Sequence, residues 1–308
     1  MRNGSQGGVV IGLVAALAFA TSGPVVKPLL DAGWTPGAAI LARLGLGVLL
    51  LTVPTALALR GRWRLVLAEW RVVVGFGALG VAAAATLYYA SLTRLPVAVA
   101  LLVEYTGPLL LLGWTWLRFR RTPSRTTVLG AVVATVGLAL VLDLAGDLRL
   151  DPIGLLLAFG AAIGNAAYFL FTARPSRLPA VALAGTGMAL GLVIIAIVAA
   201  VGILPLRAPL VDVTLLGTAV SWVLPVLVVG VVPTALAYGL SAVSVRLLGD
   251  RTASFLALSE VLFAVALAWV LLGERPLPVQ LVGAALVVAG VALVRRGEHG
   301  STPVLAAT

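Results

Sequence analysis

Cysteine is absent from this 308-residue chain, and histidine occurs once, at His299 in the C-terminal tail. Without thiols there is neither a disulfide framework nor a thiolate metal site. With one tail histidine, His-based catalysis, His proton relays and the usual zinc clusters are excluded too. Charge is also scarce: 10% of residues are Asp, Glu, Lys or Arg, against 61% hydrophobic, and the mean hydropathy is +1.15. A soluble domain carries about a quarter charged residues, because its surface must face water. The solvent of this chain is therefore largely lipid. Neither GxxxxGK[ST] nor HExxH occurs, which leaves no P-loop for ATP-driven work and no zincin chemistry. No cofactor and no metal are expected.

What fills the chain is a series of continuous Leu/Ala/Gly/Val-rich runs. Crossing a bilayer core about 30 Å thick takes roughly 20 apolar residues in a helix, whereas a membrane barrel shows alternating segments of about ten. The runs predict spans at 9–29, 36–57, 72–92, 96–117, 126–142, 153–172, 180–202, 215–241, 252–272 and 278–294. The expected fold class is an all-α integral membrane protein of about ten transmembrane helices. Arg2, the first apolar run and Ala18-Phe19-Ala20 also have the shape of a secretory signal peptide with its cleavage site. Against that reading, the internal repeat described below uses this segment.

The 21 basic residues set an orientation, because Lys and Arg concentrate in cytoplasmic loops. With the N-terminus inside and ten crossings, fifteen fall on the inner side, including Arg60, Arg62, Arg64, Arg118, Arg120 and Arg121. Four fall outside (Arg94, Arg149, Arg207 and Arg275), and Lys27 and Arg43 lie within spans. Both termini are expected in the cytoplasm, with 295–308 as a cytoplasmic tail, and the protein in the cytoplasmic membrane. The net charge of +10 hugs helix ends, where snorkelling to anionic headgroups is the ordinary role. No nucleic-acid partner is expected.

The chain also repeats itself. Pro123, Gly130-Ala131, Gly137 and Ala139-Leu140-Val141 recur at identical spacing as Pro276, Gly283-Ala284, Gly290 and Ala292-Leu293-Val294, with Trp116 and Trp269 at the same offset. Ile11-Gly12-Leu13 similarly matches Ile153-Gly154-Leu155. The units run over 9–142 and 153–294, with an acidic seam at 143–151. Five helices per unit is an odd number, so the second unit enters from the opposite side, giving the inverted repeat that many secondary transporters use for alternating access. The paired glycines, seven residues apart on one helix face, favour close helix packing.

These features resemble the EamA-type branch of the drug/metabolite transporter superfamily. The residues that carry the resemblance are Leu271-Leu272-Gly273-Glu274-Arg275, then Gln280-Leu281-Val282-Gly283 and Gly290. Leu95-Pro96-Val97-Ala98-Val99-Ala100 and Glu104-Tyr105-Thr106-Gly107-Pro108 look most like exporters of the threonine/homoserine type. The sequence departs from a symmetric pattern where Arg118-Phe119-Arg120-Arg121 stands in place of a second LGE motif and Val261 stands opposite Pro108. The resemblance implies two EamA-like five-helix repeats around a central cavity and gradient-driven export of a small-molecule substrate. Amino acids or related metabolites are then the substrate class, and the other partners are membrane lipid and protons as coupling ion. The oligomeric state has no signature in the sequence.

Each ionisable group within a span costs about 2.5–3.5 kcal/mol at a helix centre, so the four found there are the first candidates. Glu104 and Glu260 are candidates for the substrate or proton pathway. Lys27 and Arg43 are candidates for structural charge pairs, either of them with Glu104. Pro108 removes a helix hydrogen bond near Glu104, and Gly107 aligns with Glu260 in the repeat, so the two units offer carboxyls at similar depth. Ser259, Tyr89, Tyr105, Asn165 and Tyr168 are further pathway candidates, each balanced by a packing role. Tyr238, Trp34 and Trp70 read as interfacial anchors. Pro24, Pro233, Gly107 and Pro108 are helix-break candidates. Two other functions fit the composition: a non-transporting membrane sensor or scaffold, and an intramembrane enzyme using the two glutamates as acid and base.

The inverted arrangement has a direct check. Reporter tags near residues 150 and 300 are expected on opposite sides of the membrane. Both tags in one compartment would overturn the odd helix number.

Overall fold

The computed structural model describes residues 2–107, 109–110, 113, 124–141, 150–172, 174, 176–241, 243–244, 247, 256–257 and 259–298. The chain is mainly helical. In order come α1 (Arg2–Ala20), α2 (Ser22–Asp31), α3 (Pro36–Leu59), α4 (Arg64–Ala68) and α5 (Trp70–Val74). A π-helical stretch, Gly75–Ala83, then leads into α6 (Ala84–Leu92), followed by α7 (Val97–Glu104), α8 (Arg125–Val141), α9 (Pro152–Thr172) and α10 (Ala180–Ala200). A short hairpin, β1 (Val213–Leu215) and β2 (Thr218–Val220), precedes α11 (Val223–Gly230), which passes through a second π-helical stretch, Val231–Leu236. The last helices are α12 (Ser259–Leu272) and α13 (Pro278–Glu298).

Six helices among the described residues are long and apolar enough to cross a membrane: Gly7–Asp31, Pro36–Leu59, Trp70–Leu92, Pro152–Thr172, Ala180–Ala200 and Val223–Ser241. Shorter apolar helices lie at Arg125–Leu140, Ser259–Leu272 and Pro278–Val294. Large apolar side chains point outward along them, among them Leu49, Leu57, Leu156, Ile163, Ile197 and Val270. So much exposed aliphatic surface is untenable in water and is what a hydrocarbon solvent requires.

The sequence expectations need several corrections. The span expected from 215 starts at Val223, because Leu216 and Gly217 take positive φ and turn residues 213–220 into an antiparallel hairpin. The last helix continues to Glu298, so the expected tail begins later. Trp34 is buried, its indole N–H donating to the Pro209 carbonyl at 2.9 Å and its ring lying 5.8 Å from Trp222. It fastens the 205–222 segment rather than anchoring at lipid headgroups. Trp70, by contrast, is exposed. Trp116, Pro123, the 143–149 part of the seam and His299 lie outside the described residues.

The most intimate helix contact joins α8 and α13. A Cβ added at Gly130 would sit 2.6 Å from the Gly290 carbonyl oxygen, and one at Gly137 would sit 2.7 Å from that of Gly283. Numbers rising on one helix meet numbers falling on the other, so the helices run antiparallel. Glycine is needed because backbone meets backbone. A methyl at Gly290 would lie 2.4 Å from the Ala134 nitrogen, which cannot yield as a side chain end can. Gly290→Ala is expected to destabilise the purified protein by about 1–3 kcal/mol. Gly45→Ala, at a helical position with open space, should be neutral or stabilising by up to about 1 kcal/mol. Thermal unfolding in one detergent compares them, and equal midpoints would contradict the close crossing.

Candidate functional site

Three of the helical segments that meet inside the bundle are irregular at or beside the residues that meet there. Pro24 has no N–H to offer the carbonyl four residues back, at Ala20, and the helix breaks between α1 and α2 at Thr21. This delivers Ser22 to the interior, buried. In the same way Pro233 leaves the Val229 carbonyl without its backbone donor, and the helix widens to π geometry. The Thr234 hydroxyl donates to that carbonyl instead, at 2.9 Å. In α7 the helix ends at Glu104 and turns at Tyr105-Thr106. Pro108 itself lies outside the described residues. Gly107 is buried against α9, where a Cβ would meet the Ala162 carbonyl at 2.6 Å and the Asn165 Cβ at 3.4 Å.

Arg43 on α3 ties these breaks together. Its Nε donates to Thr234 Oγ1 at 3.1 Å, and its Nη1 donates to Ser22 Oγ at 2.9 Å and Tyr89 Oη at 3.2 Å. Ser22 and Tyr89 are themselves 3.1 Å apart, and the guanidinium lies 5.7 Å from the Tyr89 ring centroid, within cation–π range. One cation is thus held by the α1–α2 break, the third span and the second π stretch. Each hydrogen bond to a charged group contributes about 1.5–3 kcal/mol, which offsets part of the desolvation of the guanidinium.

The two carboxyls lie close by but are not bound to it. Glu104 and Glu260 interact electrostatically with Arg43 and with each other, yet neither is among the ion pairs of the described residues. Tyr105 donates to Glu260 Oε2 at 2.5 Å. Glu104 has no hydrogen-bond partner among the described residues. No fully buried side-chain nitrogen or oxygen lacks a partner there, so the Glu104 oxygens keep accessible surface deep inside the protein.

All five tyrosines of the chain surround these charges. Tyr89 holds Arg43, Tyr105 holds Glu260, and Tyr88, Tyr168 and Tyr238 interact electrostatically with one or both glutamates. Tyr238 is therefore an interior residue, packed edge-to-face on Phe19 at 5.1 Å, and the anchor reading is corrected. Tyr168 packs on Phe76 at 5.2 Å. The Ser259 hydroxyl is turned back onto the Leu256 carbonyl of its own helix at 2.5 Å. A crevice of about 30 Å³ lined by Gly12, Ala16, Phe19, Ser241 and Ser244 runs alongside Phe19.

Lys27 takes a different partner from the one expected. It pairs with Asp31 one turn on, at 2.7 Å, and not with Glu104. Beside it, Glu274 accepts from the Val97 N–H at 2.9 Å, so the glutamate of the LGE sequence caps the helix that begins after Leu95-Pro96. Burial pushes the Glu274 carboxyl up from its ordinary range, partly countered by that N–H and by Lys27. Asp151 caps α9 through the Ile153 and Gly154 N–H groups and pairs with Arg94 at 2.7 Å. The Gly154 N–H, then Arg94, pull its carboxyl below the ordinary range. Sequence reading passed over Ser22, Thr234 and Glu274. Ser22-Gly23-Pro24 and Pro233-Thr234 carried the signal, a hydroxyl beside a helix-breaking proline.

The profile of the EamA-like transporter family matches residues 6–143 and again 152–296. The threonine/homoserine exporter RhtA of Escherichia coli (strain K12) is 29% identical over 287 residues, spanning 91% of this chain and 88% of the relative. The protein of that name from Salmonella typhimurium (strain LT2) is 28% identical over 286 residues with the same coverage. One solved crystal structure superposes with a TM-score of 0.65 over 96% of this chain and 99% of its own, at 21% identity, a likeness of fold alone.

The Glu274 cap yields a prediction. Glu274→Ala leaves the Val97 N–H without its acceptor and is expected to lower stability by about 0.5–2 kcal/mol. Glu274→Gln, which keeps an acceptor oxygen, should recover most of that loss in the same thermal unfolding assay. Equal losses for the two variants would contradict a capping role.

Proposed function

This chain belongs to the EamA-like transporter family, and from that premise we propose that it exports amino acids or related small metabolites across the cytoplasmic membrane. Alternating access between two inverted five-helix repeats is the proposed mechanism. The observation that carries the reading is the interior cluster of Arg43, Glu104, Glu260 and the five tyrosines, drawn from both family-matched stretches. The threonine/homoserine exporters, 28–29% identical over most of each chain, supply the substrate class.

The inverted repeat is supported by the glycine crossing. In the repeat alignment Gly130 corresponds to Gly283 and Gly137 to Gly290. The observed contacts are Gly130 with Gly290 and Gly137 with Gly283, and exchanging the units turns each contact into the other. An antiparallel, self-complementary crossing is what a two-fold axis in the membrane plane produces. The bias of basic residues supports cytoplasmic termini and puts the Lys27, Val97, Asp151 and Glu274 end of the bundle outside.

Within this reading Glu104 and Glu260 bind the coupling proton. Two neighbouring carboxyls in a partly dehydrated interior resist being ionised together, so a proton is retained until a cation takes its place. Purified protein in sealed liposomes is expected to show L-threonine or L-homoserine counterflow and to accumulate substrate with an imposed pH gradient. Glu104→Gln and Glu260→Gln should each reduce gradient-driven accumulation at least tenfold while leaving counterflow measurable. Gradient-driven transport unchanged in both variants would remove the coupling role. Wild-type vesicles with no substrate flux would favour a sensor, scaffold or enzyme instead.

A further inference from the structure

We propose that the gap between Arg43 and the Glu104–Glu260 pair is a subsite for a zwitterionic α-amino acid, with Arg43 receiving the carboxylate and the glutamates the ammonium. The inference rests on the transport reading above and specifies the chemistry of its binding site.

Opposite charges in a poorly hydrated interior attract strongly and close into an ion pair unless they are held apart. Here they are held apart. Three hydrogen bonds fix the guanidinium to Ser22, Tyr89 and Thr234, whose backbones belong to three different segments. Tyr105 fixes one oxygen of Glu260. The unmet groups on both sides of the gap are charged: Nη2 of Arg43 has no partner among the described residues, nor do the oxygens of Glu104. Because no fully buried polar atom there is left unpaired, these atoms face accessible space.

A ligand for this gap needs an anionic end that accepts from a guanidinium and a cationic end that donates to carboxylates. A simple organic cation would satisfy the glutamates and meet repulsion from Arg43. A simple anion would face two carboxyls. An α-amino acid presents both ends on one carbon. Arg43 and Glu104 each stand seven residues inside the start of their helices, α3 at Pro36 and α7 at Val97, so they share a depth of about 10 Å.

The test is competition against radiolabelled L-threonine counterflow in liposomes. L-Threoninamide lacks the carboxylate charge and N-acetyl-L-threonine lacks the ammonium. Each is expected to compete at least tenfold less well than unlabelled L-threonine against the wild-type protein. In Arg43→Gln the preference for threonine over its amide should shrink to within about twofold, while Arg43→Lys, which keeps the charge, should retain a measurable part. Equal competition by the amide in wild type, or an unchanged preference in Arg43→Gln, overturns the inference and leaves amino-acid export standing. Wild-type vesicles that move neither threonine nor homoserine overturn both. Should Arg43→Gln fail to fold, the wild-type analogue series and Arg43→Lys still decide.

Discussion

Everything in the interior follows from one constraint: a guanidinium and two carboxyls must exist inside a bundle whose outer face is hydrocarbon. Regular helices cannot help them, since every backbone N–H and carbonyl is already used within its own helix. The bundle answers with irregularity. Proline at 24 and 233 takes away a donor, and the helix breaks at Thr21 or widens at 231–236. Hydroxyls at Ser22 and Thr234 then become available to the cation. Backbone that is not α-helical is tolerated at membrane depth where it is enclosed in protein or lines an opening, and here it does so around Arg43.

A second device surrounds this centre. Away from the charges, helices meet through small residues, most closely where α8 and α13 cross on their four glycines. Gly77 against the Gly187 carbonyl, and Gly164 against Ala84, do the same for the third span with α10 and α9. Lipid gives no hydrophobic push between helices, so close van der Waals approach has to supply the cohesion. Aliphatic bulk is correspondingly free to face outward, at Leu57, Leu156 and Val270.

The fold was legible in the sequence to the extent that it depends on hydropathy and on glycine spacing. Both are one-dimensional signals, and the long described helices overlap the intervals they mark, though the first and last run past theirs and the short α4 falls between two. The misread start of α11 had a local cause: Leu215, Leu216 and Val220 look like the opening of a span, and only Gly217 hinted at a hairpin. The centre was half legible. Glu104, Glu260, Arg43 and Tyr89 stand out because charge and phenol are rare in such a chain, and the structure brings them together. Their partners were not legible, because pairing distant residues such as Arg43 and Thr234 is a property of tertiary packing. Lys27 misleads because the apolar run ends at residue 29, whereas the helix continues to Asp31, one turn beyond Lys27.

Polar ties between the two family-matched stretches lie at both ends of the bundle as well as around Arg43 and Glu260. At one end Thr35 bonds Pro205 and Arg207, Trp34 bonds Pro209 and Val97 bonds Glu274; at the other Thr55 bonds Val181, Arg177 bonds Glu69 and Ser244 bonds Gly8. Each such bond contributes about 0.5–1.5 kcal/mol net, so releasing the set costs only a few kcal/mol, the scale on which a ligand shifts a two-state equilibrium. The glycine crossing between α8 and α13 also joins the two stretches, but through continuous backbone contact along the helices. It has no comparable intermediate between packed and separated. The ties at either end are therefore contacts between the two stretches that can be released one by one, and the crossing is not.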